Sequence, residues 1–595
     1  MTARGKATVL AAAALLAGLG GCAQRPRTRP SVLLVTLEAV RADRLGSYGY
    51  SRARTPRLDA LARDGLLFER AYAAAPLHLP AVATVLTGRT PRSHGIREDA
   101  SGAALAASVP IVSEAFRAQG YRTAAFVGSG VFGRGTGLDR GFEEYVDDFG
   151  APGKQAGRTE AGTARETVDA ALRFIATAGT SQPVFAWVHL PRPSPASGER
   201  KTAPEDPYDA SLAAVDIELG RLVDACRSTR PSLAVAVIAD HGEALGDHGE
   251  EGFGYFVYSA TTRVPLLIAF PEALPRNRRV GPIVRAMDVA PTLLDLAGLP
   301  APPGVEGASL VPLMTGRVAE GPGPAPIENL SLESRYGISP LFGLRSAAYL
   351  YVRAPRPELY DTVQDPGEKA DLAERLSRVA TRLDAELRRW APEARPGLLD
   401  PKDALDLYHR YREAQDQDGR GERARAIEAY RSILKEAPGF VFAERKLAEA
   451  LLHEKRTGEA EKLLEDLVDR KQAAETTYLN LALARYRAGD PKVALRRLLE
   501  GAQALPRSAP LHHRTGRLFL ELKRPGAAVA ALARAVELEP RLVDGHLALG
   551  EAFESLGRKA EAEAAYRRVL EVSESASSEA RAASASLARL ASGPR

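Results

Sequence analysis

Alanine returns at a fixed interval near the carboxyl terminus: Ala426, Ala460, Ala494, Ala528 and Ala562 stand 34 residues apart. Four positions after each comes a large apolar residue: Tyr430, Leu464, Leu498, Leu532 and Tyr566. Pro438, Pro506 and Pro540 follow three of the alanines by twelve positions, and Gly516 and Gly550 precede two of them by twelve. Such a period fits two short helices and their turns. Small residues mark where the helices touch, and proline marks where a helix cannot continue. One pair cannot bury its apolar face alone, so the pairs must stack on one another. The chain is thereby committed to an elongated α-helical array at this end.

The pattern resembles the tetratricopeptide repeat. Five repeats fill 404–575, and a Ser-, Glu- and Ala-rich helix up to residue 595 caps them. The resemblance implies a concave groove that takes a protein segment. Arg445, Asn480, Arg485, His513 and Arg517 are polar positions on the first helices, between the packing positions. Several are basic, which points to an acidic or C-terminal carboxylate partner, because Arg presents a planar fork to carboxylates. A linker over 396–403 joins the array to what precedes it.

The first 22 residues read as a targeting segment. Arg4 and Lys6 precede the apolar run Ala7–Leu19, too short to span a bilayer comfortably. Leu19-Gly20-Gly21-Cys22 resembles a bacterial lipobox. Cleavage before Cys22 would leave an acylated cysteine and an extracytoplasmic, membrane-anchored protein. Ala23 and Gln24 lack the Asp that retains some lipoproteins at the inner membrane, which points to the outer membrane. A plain signal peptide or signal anchor is the other reading. Residues 23–30 form a tether. With Cys22 acylated, Cys226 has no disulfide partner. Net charge is +5, spread over dispersed arginines with no basic block, so we expect no nucleic-acid partner.

Between 31 and 395 short apolar strands alternate with amphipathic helices, as in α/β folds. Strands are expected at 31–37, 122–127, 184–190 and 233–239, and helices at 55–64, 108–119, 160–178 and 208–228. The stretch 196–206 reads as a loop. Pro271–Pro282 and Pro300–Pro303 read as breaks, and Leu344–Tyr360 as a small C-terminal sheet. Glu38 follows one strand, and Asp240-His241-Gly242 follows another. Strand ends of this kind are where an open α/β sheet places its ligands. Carboxylate, carboxylate and imidazole make a credible metal shell.

Five stretches, SVLLVTLEAVRADRLGSYGY at 31–50, TPRLDALARDGLLFERAYA at 55–73, LTGRTPRSHGI at 86–96, ADHGEALGDHGE at 239–250 and LYDTVQDPGEKADL at 359–372, resemble the sulfatase family of the alkaline-phosphatase superfamily. The resemblance implies an α/β sulfatase-like sheet flanked by helices over 31–395. It also implies hydrolysis of a sulfate or phosphate ester by in-line attack, assisted by a divalent metal such as calcium, zinc or manganese. It maps metal ligands onto Glu38, Asp240 and His241. In Pro76-Leu-His-Leu-Pro80, the proline sets the register and places His78 on the nucleophile position, where relatives carry Cys, Ser or Thr. His78 cannot become a formylglycine; it is a metal ligand, a nucleophile or a structural residue. Arg192 and Ser194 stand where relatives carry Asp and His, and Phe253 where they carry His. Arg192 is the candidate anion-binding group. His94 and His189 read as core residues, and His248 is a further polar candidate.

Two readings follow. One is a degenerate sulfatase-family lipoprotein that binds or scaffolds through its fold and repeats. The other is a metal-dependent hydrolase of sulfate or phosphate esters.

Overall fold

The computed structural model describes residues 29–99, 103–147, 163–179, 182–192, 206–392, 397–573 and 577–592. Cys22, Ser194 and nearly all of the 196–206 stretch lie outside the described residues.

Twelve strands among these form two sheets. The larger contains β1 (Ser31–Leu37), β2 (Leu66–Tyr72), β3 (Arg122–Val127), β4 (Glu144–Val146), β5 (Val184–Leu190), β6 (Leu233–Ala239), β7 (Arg263–Ala269) and β8 (Arg278–Arg285), in the order β4-β3-β5-β1-β6-β7-β2-β8. The run from β4 to β6 is parallel, β7 is antiparallel to both neighbours, and β8 is parallel to β2. Every residue of β1, β5 and β6 is buried. A parallel sheet covered on both faces needs such uniformly apolar strands. The smaller, antiparallel sheet holds β9 (Ala325–Asn329), β10 (Leu341–Arg345), β11 (Tyr349–Arg353) and β12 (Glu358–Asp361).

The four expected strands form at the expected positions, and the expected helices form as Pro56–Asp64, Val112–Ala118, Ala164–Thr177 and Pro207–Thr229. One expectation fails. The Pro271–Pro282 stretch is not wholly a break, because its last residues begin β8. Proline is tolerated there for two reasons: β8 is an edge strand, and its pairing with β2 bulges at Gly281 and Pro282.

The repeats form five helical pairs, from Leu405–Gly419 with Arg423–Glu436 to Val543–Ser555 with Lys559–Val572, followed by the capping helix Ser578–Ser592. The five periodic alanines are all buried. Gly516 shows why the seam needs small residues: a Cβ there would lie 2.4 Å from Leu532 Cγ.

The array and the α/β part share a core. Tyr255, Phe256 and Tyr336 pack in one apolar cluster with Tyr408, Tyr411 and Phe440. The Tyr255 hydroxyl donates to the Pro401 carbonyl at 2.8 Å, and the Tyr408 hydroxyl to that of Glu251 at 3.0 Å. Further along the array, Arg507 donates to the Arg134 carbonyl at 2.9 Å.

Candidate functional site

β1 and β6 are neighbours, with Leu37 opposite Ala239, so Glu38 and Asp240 emerge side by side at one sheet edge. Asp240 is fully buried. Its Oδ1 accepts the backbone N–H groups of Ala39 at 2.9 Å and His241 at 2.7 Å. Ala39 has φ 52°, a conformation that costs a non-glycine residue energy and persists only when its surroundings enforce it. Here the Asp240 bond and the Tyr208 hydroxyl, which donates to the Ala39 carbonyl at 2.9 Å, enforce it.

The other oxygen, Asp240 Oδ2, lies 2.8 Å from His78 Nδ1. His78 opens the helix His78–Thr87. Asp99 caps that helix, its carboxylate accepting the His78 N–H at 3.3 Å and the Leu79 N–H at 2.7 Å. A carboxylate at a helix start meets unpaired N–H groups and the positive end of the dipole. His241 Nε2 lies 2.9 Å from His78 Nδ1, and His241 Nδ1 lies 2.7 Å from the Gly242 carbonyl.

These contacts assign the protons. The Gly242 carbonyl only accepts, so His241 Nδ1 carries hydrogen and its Nε2 presents a lone pair. His78 Nδ1 then faces two acceptors and carries a proton. Burial disfavours an imidazolium at His78, but the hydrogen bond and charge of Asp240, with Asp99 and Glu38 beyond, outweigh it and raise His78 to about 9. Burial pushes His241 down. Burial also opposes the Asp240 charge, yet the flanking His241 and His78 hold it well below the usual carboxylate range.

Aromatic rings wall this cluster. The Phe253 ring lies 4.7 Å from that of His78 and 4.3 Å from that of His241, and Phe132 stands 6.5 Å from His78. Gly252 and Gly254, both with φ near 90°, make the turn that presents Phe253. Glu250 ties this loop by accepting the N–H groups of Tyr255 at 2.8 Å and Phe256 at 3.0 Å. Burial pushes Glu250 up to about 8.

Two expected site residues go elsewhere. Glu38, expected as a metal ligand, does not join the cluster; its carboxylate lies 3.9 Å from His189 Nε2. Arg192, expected to bind an anion, is buried. It pairs with Glu243, donates to Ser211 at 3.2 Å and stacks 4.6 Å over Tyr208. Glu243 thus neutralises its charge. His248 stacks on Tyr258 at 3.9 Å and bonds the Gly367 carbonyl. His94 and His189 are buried, bonded to Thr84 and Thr36.

Among the described residues, the donor atoms of His78, Asp240 and His241 lie within 4.8 Å of one another. Two imidazoles and a carboxylate are the donor types of a catalytic zinc site. Bonded to each other at 2.8 and 2.9 Å, they sit closer than the roughly 3.3 Å that separates ligands around tetrahedral zinc. The set fits a divalent cation in kind, and loading would displace the His78 proton. Sequence reasoning did not find Asp99 or Phe132. Neither lies in a strand-end motif, and the only signal for Phe253 was an aromatic residue at a position where relatives carry histidine.

Residues 30–299 match the family model described as Sulfatase, and residues 249–392 that of N-sulphoglucosamine sulphohydrolase, C-terminal. Residues 543–575 match a Tetratricopeptide repeat. A Delta 4,5-hexuronate-2-O-sulfatase of Bacteroides thetaiotaomicron is 24% identical over 417 residues, covering 60% of this chain and 87% of that protein. An Ulvan-active sulfatase of Formosa agariphila is 25% identical over 420 residues, covering 62% and 82%. The phosphonate monoester hydrolase of Agrobacterium radiobacter shares the fold, with a TM-score of 0.50 at 23% identity over 61% of this chain and 95% of that one. Residues 30–392 of the chain therefore belong to the sulfatase family, with tetratricopeptide repeats behind them.

Proposed function

We propose that the sulfatase-family domain binds a sulfate-type anion without hydrolysing it, and that the chain acts as an anchored binding or scaffold protein. The carrying observation is the protonated Nδ1 of His78, held between Asp240 Oδ2 and His241 Nε2 on the nucleophile's position. In-line attack needs a lone pair on a hydroxyl, thiol or imidazole, and with Asp240 holding His78 as the imidazolium neither ring nitrogen has one to give. Two further groups that would stabilise developing charge are missing: Arg192 is neutralised by Glu243, and Phe253 is apolar. The other imidazole nitrogen, Nε2 of His78, has no hydrogen-bond partner among the described residues and can donate to an oxyanion. The names of the relatives favour an anionic, sulfated saccharide as the ligand class. The lipobox-like segment ending at Cys22 supports extracytoplasmic anchoring at the outer membrane, and the repeats support a protein partner.

A second reading, metal-dependent hydrolysis of a sulfate or phosphate ester, is favoured by one observation: three donor atoms converge within 4.8 Å. His78, Asp240 and His241 would hold the cation, which when bound supplies Lewis acidity at the ester oxygen.

The test is turnover of an aryl sulfate and an aryl phosphate, with and without calcium, zinc or manganese, alongside calorimetric binding of inorganic sulfate. We expect no turnover above background under any condition, and sulfate binding that His78→Gln removes. Turnover that His78→Ala abolishes would establish the hydrolase instead.

A further inference from the structure

The loop over residues 245–254 carries Phe253 to the pocket. Phe253 is half-buried, whereas the His78 and His241 rings against it are buried. The ring therefore stands between those imidazoles and solvent. The loop that holds it is strained. Leu245 and His248 have φ 55° and 56°, in the left-handed region that most side chains avoid. Such a conformation persists only where other contacts enforce it.

Those contacts come from two sides. At the base, Arg41 donates to the carbonyls of Glu243 at 3.2 Å and Ala244 at 3.1 Å, and pairs with Asp247 at 2.7 Å. The stretch next to Phe253 is held instead by the first helix of the repeats, Leu405–Gly419. His409 Nε2 lies 2.6 Å from the Gly249 carbonyl, which can only accept, so this nitrogen donates. The Tyr408 hydroxyl donates to the Glu251 carbonyl at 3.0 Å. Gly249 comes so near the helix that a Cβ would lie 2.9 Å from Leu405 Cδ2. Leu405, Tyr408 and His409 are spaced i, i+3 and i+4, so one face of the helix meets the loop. His409 is exposed, and its bond fixes the loop rather than a seam between repeats. The two carbonyls it and Tyr408 hold lie four and two residues before Phe253.

We infer that residues 245–254 form a lid over His78 and His241, latched shut by Tyr408 and His409, so that the first helix of the repeats sets access to the pocket. Release of the latch lets Leu245 and His248 relax, and that relaxation carries Phe253 off the imidazoles. Whatever shifts the first helical pair shifts the lid, and whatever fills the pocket acts back on the pair with equal coupling. The inference concerns access, and it holds whether the pocket takes an anion or a cation.

Two readouts on the full chain test this, with a chelator present to clear any metal. Tyr408→Phe/His409→Ala keeps the ring that packs against Tyr255 and removes only the latch. Hydrogen exchange across residues 245–256 should quicken at least about fivefold, the worth of one hydrogen bond. Diethyl pyrocarbonate, followed by peptide-resolved mass spectrometry, should label His78 or His241 faster by a similar factor relative to the exposed His453. Phe253→Ala should speed labelling by itself. Adding the latch variant to Phe253→Ala should then change labelling by less than about twofold, as for two changes acting through one ring. Circular dichroism should match wild type throughout. Should the double variant misfold, His409→Ala alone, at an exposed residue, is expected to show the same rise in smaller measure. Unchanged exchange or unchanged labelling in the latch variant overturns the inference. So does a latch effect that persists in full without the Phe253 ring, because the repeats would then act on the pocket by another route.

Discussion

The seams of the repeats and the pocket at the sheet edge are both buried, yet they are assembled differently. In the array each contact joins neighbours: Gly516 meets Leu532, and Arg431 reaches Glu459. Stability there is close to a sum of nearest-neighbour terms. The pocket joins segments far apart in the chain: Ala39, His78, Asp99, Asp240 and Phe253. Its charges sit where water cannot compensate an error. A change in a seam should therefore stay local and modest, and a change in the pocket should be large and felt by several elements.

The largest expected effect tests the pocket half of that contrast. Asp240→Ala leaves the His78 imidazolium buried without its partner and two backbone N–H groups without an acceptor. A broken buried pair costs about 3–5 kcal/mol. Urea unfolding should show this loss, in the transition assigned to the sulfatase-family domain. A cost under about 1 kcal/mol would mean that the cluster is solvated and the contrast false.

Next comes pH. His78 holds its proton to about 9 when folded, against about 6.5 unfolded. Its contribution is thus fully present below pH 6.5 and is lost as pH rises through 9. It amounts to about 3 kcal/mol. Glu250, raised by burial to about 8, loses stability in the same direction. The readout is accordingly the difference between wild type and His78→Gln, measured by thermal denaturation from pH 6 to 9.5. The gap should close with rising pH, and a constant gap would show that His78 is not charged.

The smallest effect belongs to the array. Gly516→Ala puts a methyl group 2.4 Å from Leu532 Cγ, an overpacking that costs about 1–3 kcal/mol. It should lower the unfolding transition of the repeats while leaving sulfate binding at His78 unchanged. Loss of that binding would show that the two halves are coupled through more than their first pairs.

Legibility in the sequence follows the same division. A 34-residue period is written along the chain, so the repeats could be counted from it. The strands β1, β5 and β6 were equally legible, because burial of every residue demands a largely apolar run, and β3 is buried throughout after its first residue, Arg122. β8 was hidden by its arginines and Pro282, which an edge strand tolerates. In the pocket, the strand ends gave Asp240 and His241, and the register of Pro80 gave His78. The orientations of Glu38 and Arg192 were not legible, since nothing local says that one turns to His189 and the other to Glu243. The basic groove candidates Arg485 and Arg517 likewise proved to be paired, with Glu461 and Glu551.

The shared core around Tyr255 and Tyr336 has a consequence for how the protein is made. The sulfatase-family sequence is complete by residue 392, but one wall of its apolar interior is supplied by Tyr408, Tyr411 and Phe440. As synthesis proceeds from the amino terminus, that wall stays open until the first two helical pairs have emerged. During that interval the nascent domain exposes aromatic surface of the kind that aggregates. A stop codon shortly after residue 392 should then yield insoluble protein or chaperone-bound material, and one after the second helical pair a soluble one.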